Sequence, residues 1–440
     1  MDRAHQKTIL DDATAQAASV QRAPLIVAVL GVIALGVGVI TFFAANWSDI
    51  PKLAKLVVLF GAMWGAYTLA ARFAIERGGS DPRFAQVFLL LGLILYGSNI
   101  FLIGQIYHIG AHYPEGVFFW ALGALVLVYA VPSQTIAIAG LVLALTWTLL
   151  ETTSISSVIR DTGGGTHWPF VIVWALFLPF LIRLQWRATA VIATLAFLLW
   201  CAGTLIVFGI QTGTKSLSVI AAIFLANLTL YLLGTAFERV PALTIFSSAL
   251  RNQSALFGLV AFYALTLRIV HGLSRYTPTA RSDATEWLIL TAILSLLAAG
   301  LSAWLYLRGG KEARIGYRAW GCGLVVLTIL AIFAGMLLSS TPTPRIPIYI
   351  AFNILFFAAT VWLIYAGYQN GRTFHINLGF VFFAIGLFTL YFDTAWGLMD
   401  RSFFFMGGGV ILIGGGYLLN RQRRRLMRDI SSEGRMEAKP

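Results

Sequence analysis

From about residue 24 to residue 419 the chain is a succession of apolar runs, each about long enough to cross a bilayer, which takes about 20 residues. Short loops between the runs hold nearly all of the charge. Only 11% of the 440 residues are charged and 59% are hydrophobic, against about 25% charged in an ordinary soluble domain. Too little polar surface exists to cover a water-soluble globule of this size. The apolar excess must therefore face lipid or other helices.

About fourteen spans follow from the length rule. They are Pro24–Ala45, Leu53–Phe73, Phe84–Tyr107, Gly116–Val131, Gln134–Leu150, Trp168–Ile182, Ala188–Gly209, Leu217–Phe237, Gln253–Val270, Trp287–Leu307, Ala319–Ser339, Pro347–Tyr368, Phe374–Phe392 and Ser402–Leu419. Pro132-Ser133 separates the fourth from the fifth, so residues 116–150 read as a tight helical hairpin or as one kinked segment. Pro179 predicts a kink in the sixth. Runs such as Val87-Phe88-Leu89-Leu90-Leu91 lack the period-two alternation of a barrel strand, and helices satisfy their own backbone in hydrocarbon. The expected fold is all-α, one polytopic transmembrane helical bundle. Residues 1–23 read as a short cytoplasmic N-terminal segment, 24–419 as the transmembrane domain and 420–440 as a basic cytoplasmic tail. The first run, about 22 residues, exceeds a signal-peptide apolar region of about 7–15, so it is expected to stay uncleaved.

The formal charge of +13 sits in loops and in the tail Arg421-Gln422-Arg423-Arg424-Arg425. With fourteen spans and a cytoplasmic N-terminus, about 22 Lys and Arg fall on the cytoplasmic side and about 9 on the other. That bias predicts both termini on the cytoplasmic side of an inner membrane. The charge reads as a topology signal and as contacts for anionic lipid, not as a nucleic-acid surface, which would need a groove-reading element. Cys201 and Cys322 lie inside spans, in no CxxC or Cys/His cluster, and read as small hydrophobes.

Three polar clusters stand out. Asn46, Trp47, Asp49 and Pro51 close the first span, as an aromatic anchor and helix cap or as the lip of a site. Asn99 and Gln105 lie within the third span, followed by Tyr107, His108, His112 and Glu115. Polar side chains at such depth tie helices together, or they line a polar cavity. His108 and His112 are four apart, but no H-E-x-x-H is present and no metal is expected. Phe374-His375-Ile376-Asn377 opens the penultimate span, and Asp393 closes it. Elsewhere, span centres carry almost no ionisable group, which argues against a proton pump. Gly61-Ala62-Met63-Trp64-Gly65 forms a GxxxG close-packing face. No triad, phosphate loop or dinucleotide fingerprint occurs, so no cofactor is expected.

The glycine-rich first span ending Ala45-Asn46-Trp47, then Ile50-Pro51 and a lysine-bearing second span, together with Gly104-Gln105-Ile106-Tyr107-His108, resembles a bacterial membrane-protein family known as domain of unknown function 2157. His375-Ile376-Asn377-Leu378-Gly379 and the arginine-rich end are similar to the same group, less specifically. The resemblance implies a multi-span inner-membrane protein and supplies no catalytic residue, substrate or cofactor.

The leading expectation is an integral membrane protein that moves a small or lipid-linked solute or scaffolds an envelope complex. Asn46, Trp47, Asn99, Gln105, Tyr107 and His108 are its expected cavity or interface groups. Membrane lipids are the expected partners, joined in the scaffold reading by an envelope protein. The competing expectation is a membrane-embedded enzyme acting on a lipid-linked substrate at the outer boundary through Asp49, His108, His112 or Glu115.

Overall fold

A computed structural model describes residues 51–75, 82–108, 113–158, 167–212, 216–267, 284–308, 317–338 and 346–395, with residues 27, 30–38, 41, 214, 409, 413 and 414. Among these residues every regular element is a helix. Twelve α-helices lie within residues 51–395 as described: α1 (Lys52–Ile75), α2 (Pro82–Ile106), α3 (Tyr113–Ala130), α4 (Gln134–Val158), α5 (Pro169–Leu184), α6 (Arg187–Gln211), α7 (Ser216–Phe237), α8 (Thr244–Thr266), α9 (Ala284–Leu307), α10 (Tyr317–Leu338), α11 (Ile346–Gln369) and α12 (Thr373–Ala395). They correspond one to one with the second to thirteenth spans expected from the sequence. Residues 30–38 are helical within the first, and most of the last lies outside the described residues.

Nine of the twelve are long and apolar enough to cross a membrane. Helices α3 and α5 are apolar but shorter. Helix α8 falls outside the nine because Arg251-Asn252-Gln253-Ser254 dilutes its hydropathy. The question over residues 116–150 resolves as two helices, broken at Val131–Ser133, where proline cannot donate to the ladder. Pro179 is accommodated inside α5.

The surface is apolar. On α9 the side chains of Ile289, Ile293, Leu296 and Leu297 are exposed, while Trp287 and Ala298 are buried. A helix that is apolar all round is fitted to lipid on one side and protein on the other. Between such helices water exclusion supplies little, so close packing and hydrogen bonds hold the bundle together.

Two compact units divide the chain. The first contains residues 1–160 and 167–196, and the second residues 161–166 and 197–440. In the first, α2 packs between α1 and α3, and α4 packs on α3 and α5. Helices α2 and α3 are locked reciprocally. The Trp120 ring lies over Gly97, where a Cβ would stand 2.2 Å from ring carbons, and the Tyr96 ring covers Gly123 in the same way. The Trp120 indole N–H donates to the Leu93 carbonyl at 2.9 Å, and the Tyr96 hydroxyl to the Phe119 carbonyl at 3.4 Å. The expected GxxxG face does not pack in this way: a Cβ at Gly61 or Gly65 would meet nothing described within 4 Å.

In the second unit α7 and α8 form the most extensive pair. Helix α7 also packs on α9 and α10, and α11 on α8, α10 and α12. The core of this unit is built from buried Phe224, Phe262, Phe352 and Phe356 with Leu225, Leu265 and Ile332. The Phe224 and Phe262 rings lie 4.6 Å apart, and Phe356 meets Phe262 edge-on at 5.7 Å. Such aromatic pairs contribute about 0.5–1.5 kcal/mol beyond their buried area.

Candidate functional site

The polar groups singled out in the sequence do not assemble into one site among the described residues. Asn46, Trp47, Asp49 and His112 lie outside those residues. Asn99 is buried on α2 and reaches back to α1, its amide nitrogen 3.3 Å from the Leu59 carbonyl and 3.6 Å from the Met63 sulfur. Its side-chain oxygen has no partner among the described residues. Gln105, Tyr107 and His108 are exposed at the end of α2, and Glu115 is exposed in the first turn of α3. His108 has φ +51°, so no continuous helix carries it toward position 112. Asp393 is exposed at the end of α12 and accepts a hydrogen bond from the Tyr349 hydroxyl at 2.9 Å. No group of three His, Cys, Asp or Glu suited to a metal occurs among the described residues.

A candidate cavity lies in the second unit. Helices α7, α8, α9, α10 and α11 surround a cavity of about 230 Å³. An engineered apolar cavity of about 150 Å³ already holds a benzene ring, so this one has room for a larger apolar group. Its walls are apolar: Phe224, Leu228, Leu259, Phe262, Val325 and Leu363. Its rim is polar and comes from helix ends. Glu238 and Arg239 follow α7, Tyr306 ends α9, Arg318 begins α10, and Asn370 and Arg372 follow α11.

Beside the rim sits the cation that the sequence reading missed. The span was expected to begin at Gln253, after Arg251, because a charge normally marks a boundary. Helix α8 starts at Thr244, which places Arg251 two turns inside it. There it is only 6% exposed. Gly234 makes room for it, since a Cβ there would stand 3.0 Å from the Arg251 backbone nitrogen.

A buried guanidinium requires a counter-charge. Glu238 supplies it, thirteen residues upstream, accepting a hydrogen bond from Arg251 Nη1. Ser247, one turn before Arg251, accepts a second from the same nitrogen at 3.3 Å. Arg372 completes the cluster, its Nη2 standing 2.7 and 2.9 Å from the two Glu238 oxygens. The α11 C-terminus positions it: the Arg372 N–H donates to the Gly367 carbonyl at 2.7 Å, a bond that reverses the chain. Two guanidinium groups thus share one carboxylate.

Three further features surround the cluster. The Ser254 hydroxyl, one turn after Arg251, lines the cavity, is 1% exposed and has no hydrogen-bond partner among the described residues. The Tyr231 ring, also in the cavity wall, meets Trp362 and His375 edge-on at 6.4 and 5.9 Å. Both His375 ring nitrogens are buried without a hydrogen-bond partner there. Trp304 of α9 carries the rim residue Arg239 at 4.9 Å and Arg308 at 5.1 Å from its ring centre, close enough for cation–π attraction.

Nine helices among the described residues that are long and apolar enough to cross a bilayer, with apolar side chains exposed on them, define a polytopic membrane protein. Residues 1–137 match the family described as "Predicted membrane protein (DUF2157)", which bears out the resemblance read from the first third of the chain. No curated protein and no solved structure matches the chain. The cavity and its arginines lie in the second unit, beyond the matched residues.

Proposed function

We propose that this protein binds an amphiphilic solute within the membrane and moves or presents it, with the cavity of the second unit as its binding site. The observation that carries this reading is the cavity itself: apolar walls wide enough for an alkyl segment, ending at a rim of charged groups. Ligand sites are mostly apolar with a few placed polar groups, and this division of labour suits a molecule with a tail and a polar head. The positive-inside bias supports a cytoplasmic position for the rim, because the loops bearing Arg239, Arg308, Arg318 and Arg372 fall on the side richer in Lys and Arg. The same bias supports an inner-membrane location with both termini cytoplasmic.

Photolabelling tests the reading. A diazirine-bearing single-chain amphiphile, irradiated with the protein in membrane vesicles, is expected to modify cavity residues such as Leu228, Leu259 and Val325. Adducts confined to lipid-facing residues such as Leu296 and Ile354 would reject it.

A further inference from the structure

The geometry points to the Arg251–Arg372 pair as a receptor for the phosphate monoester of a single-chain amphiphile, with Glu238 as a built-in occupant that the ligand displaces. This rests on the cavity reading above and names the head group that the cavity takes.

Two guanidinium groups, one on α8 and one just past α11, converge on one carboxylate. Guanidinium forks match the oxygens of carboxylate and phosphate, and such charge-assisted bonds are among the strongest a protein makes. A purely structural ion pair would need only one arginine. Here the carboxylate is the most accessible of the three side chains, 39% exposed, whereas Arg251 is 8% and Arg372 20% exposed. The cationic side of the cluster is therefore fixed in the protein, and the anionic side is the part with room to move.

Glu238 and Arg372 both line the cavity rim, so a head group held there leads its chain directly onto Leu228 and Leu259. The unpartnered Ser254 hydroxyl lies on the same wall, one turn from Arg251. That hydroxyl has no hydrogen-bond partner among the described residues. A dianionic phosphate in place of the Glu238 carboxylate would keep both arginines paired and match their two charges, which a single carboxylate does not do.

The test uses the full-length protein in lipid nanodiscs, probed with lysophosphatidic acid, with lysophosphatidylcholine and with inorganic phosphate. Binding is read by thermal stabilisation and by the change in tryptophan fluorescence. Lysophosphatidic acid is expected to bind about tenfold or more tighter than lysophosphatidylcholine, the value of at least one charge-assisted hydrogen bond. Inorganic phosphate at the same concentration is expected to have no effect. Glu238→Gln should tighten lysophosphatidic acid and leave lysophosphatidylcholine unchanged. Should that variant fail to fold, Arg372→Gln gives the complementary reading, about a tenfold loss for the phosphate monoester alone.

Equal binding of the two lysolipids, with neither variant changing their ratio, overturns the head-group assignment and leaves the cavity reading standing. Stabilisation by inorganic phosphate equal to that by lysophosphatidic acid overturns the requirement for a chain. Binding of neither lysolipid to any form, in a protein that folds, overturns both this inference and the reading on which it rests.

Discussion

The indole of Trp120 rests on Gly97 of the preceding helix, so closely that a Cβ there would stand 2.2 Å from two of its ring carbons. Gly97→Ala must therefore displace the Trp120 ring and strain its hydrogen bond to the Leu93 carbonyl. Overpacking of this kind costs about 1–3 kcal/mol. Gly104→Ala is the control, since a Cβ there would meet nothing described within 4 Å and alanine is the better helix former. The thermal midpoint in detergent should fall for the first variant and hold or rise for the second.

The arginine cluster predicts an asymmetry. Glu238→Gln leaves Arg251 buried with no carboxylate, and a broken buried pair costs about 3–5 kcal/mol. The solvent reaching Glu238 moves this toward the lower end. Arg372→Gln leaves Glu238 still neutralised by Arg251 and should cost about 1 kcal/mol or less. Denaturation of the two variants side by side measures the difference. Equal losses would show that Arg251 does not depend on Glu238.

Ser254→Ala should stabilise the unliganded protein by about 1 kcal/mol, because it removes a buried hydroxyl that has no partner among the described residues. An unchanged or lower midpoint would mean that the hydroxyl is satisfied in the empty protein.

How far these features were legible in the chain differs from one to the next. Apolar runs alone locate α1 to α12, because a bilayer sets both the length and the composition of a crossing helix. Pro132 marks the α3–α4 break by a local rule. Arg251 escaped because a charge beside an apolar run reads as the end of that run. Only the counter-charge of Glu238 just past α7, thirteen residues away, makes a deeper position tolerable. The signal available was the stretch from Thr244 to Leu250, apolar enough to extend the helix backwards past the arginine. Asn99 was legible as a polar group at depth, but not its partner, the Leu59 carbonyl forty residues earlier. The Trp120–Gly97 contact has no sequence signature at all, since any of several glycines could face an aromatic ring. The GxxxG pattern at Gly61 and Gly65 named a different place.

His167 gives the first unit a dependence on pH. Its ring stands 4.3 Å from Trp147, edge-on, and its Nδ1 lies 3.3 Å from the Thr148 hydroxyl oxygen. The Thr148 hydroxyl donates to the Ala144 carbonyl at 3.0 Å, which leaves that oxygen to accept from an Nδ1–H. Burial pushes the His167 pKa below its ordinary value, and Glu151 opposes this only in part. The unfolded chain therefore binds this proton more readily than the folded one. Stability is full above the ordinary histidine pKa of about 6.5 and declines as pH falls from there through the folded value. Midpoints measured from pH 7.5 to 5.5 should fall more in the native protein than in His167→Gln, which has nothing to protonate. Parallel curves would exclude the histidine as the source.

The position of Arg251 also bears on how the protein is made. A lone helix with an arginine two turns from its end, and a Gln, an Asn and three serines around it, is a poor substrate for partitioning from a translocation channel into lipid. Its counter-ion has just left the ribosome on the segment before it. Helices α7 and α8 are thus suited to enter the bilayer together as a hairpin, with the Arg251 charge already neutralised by Glu238.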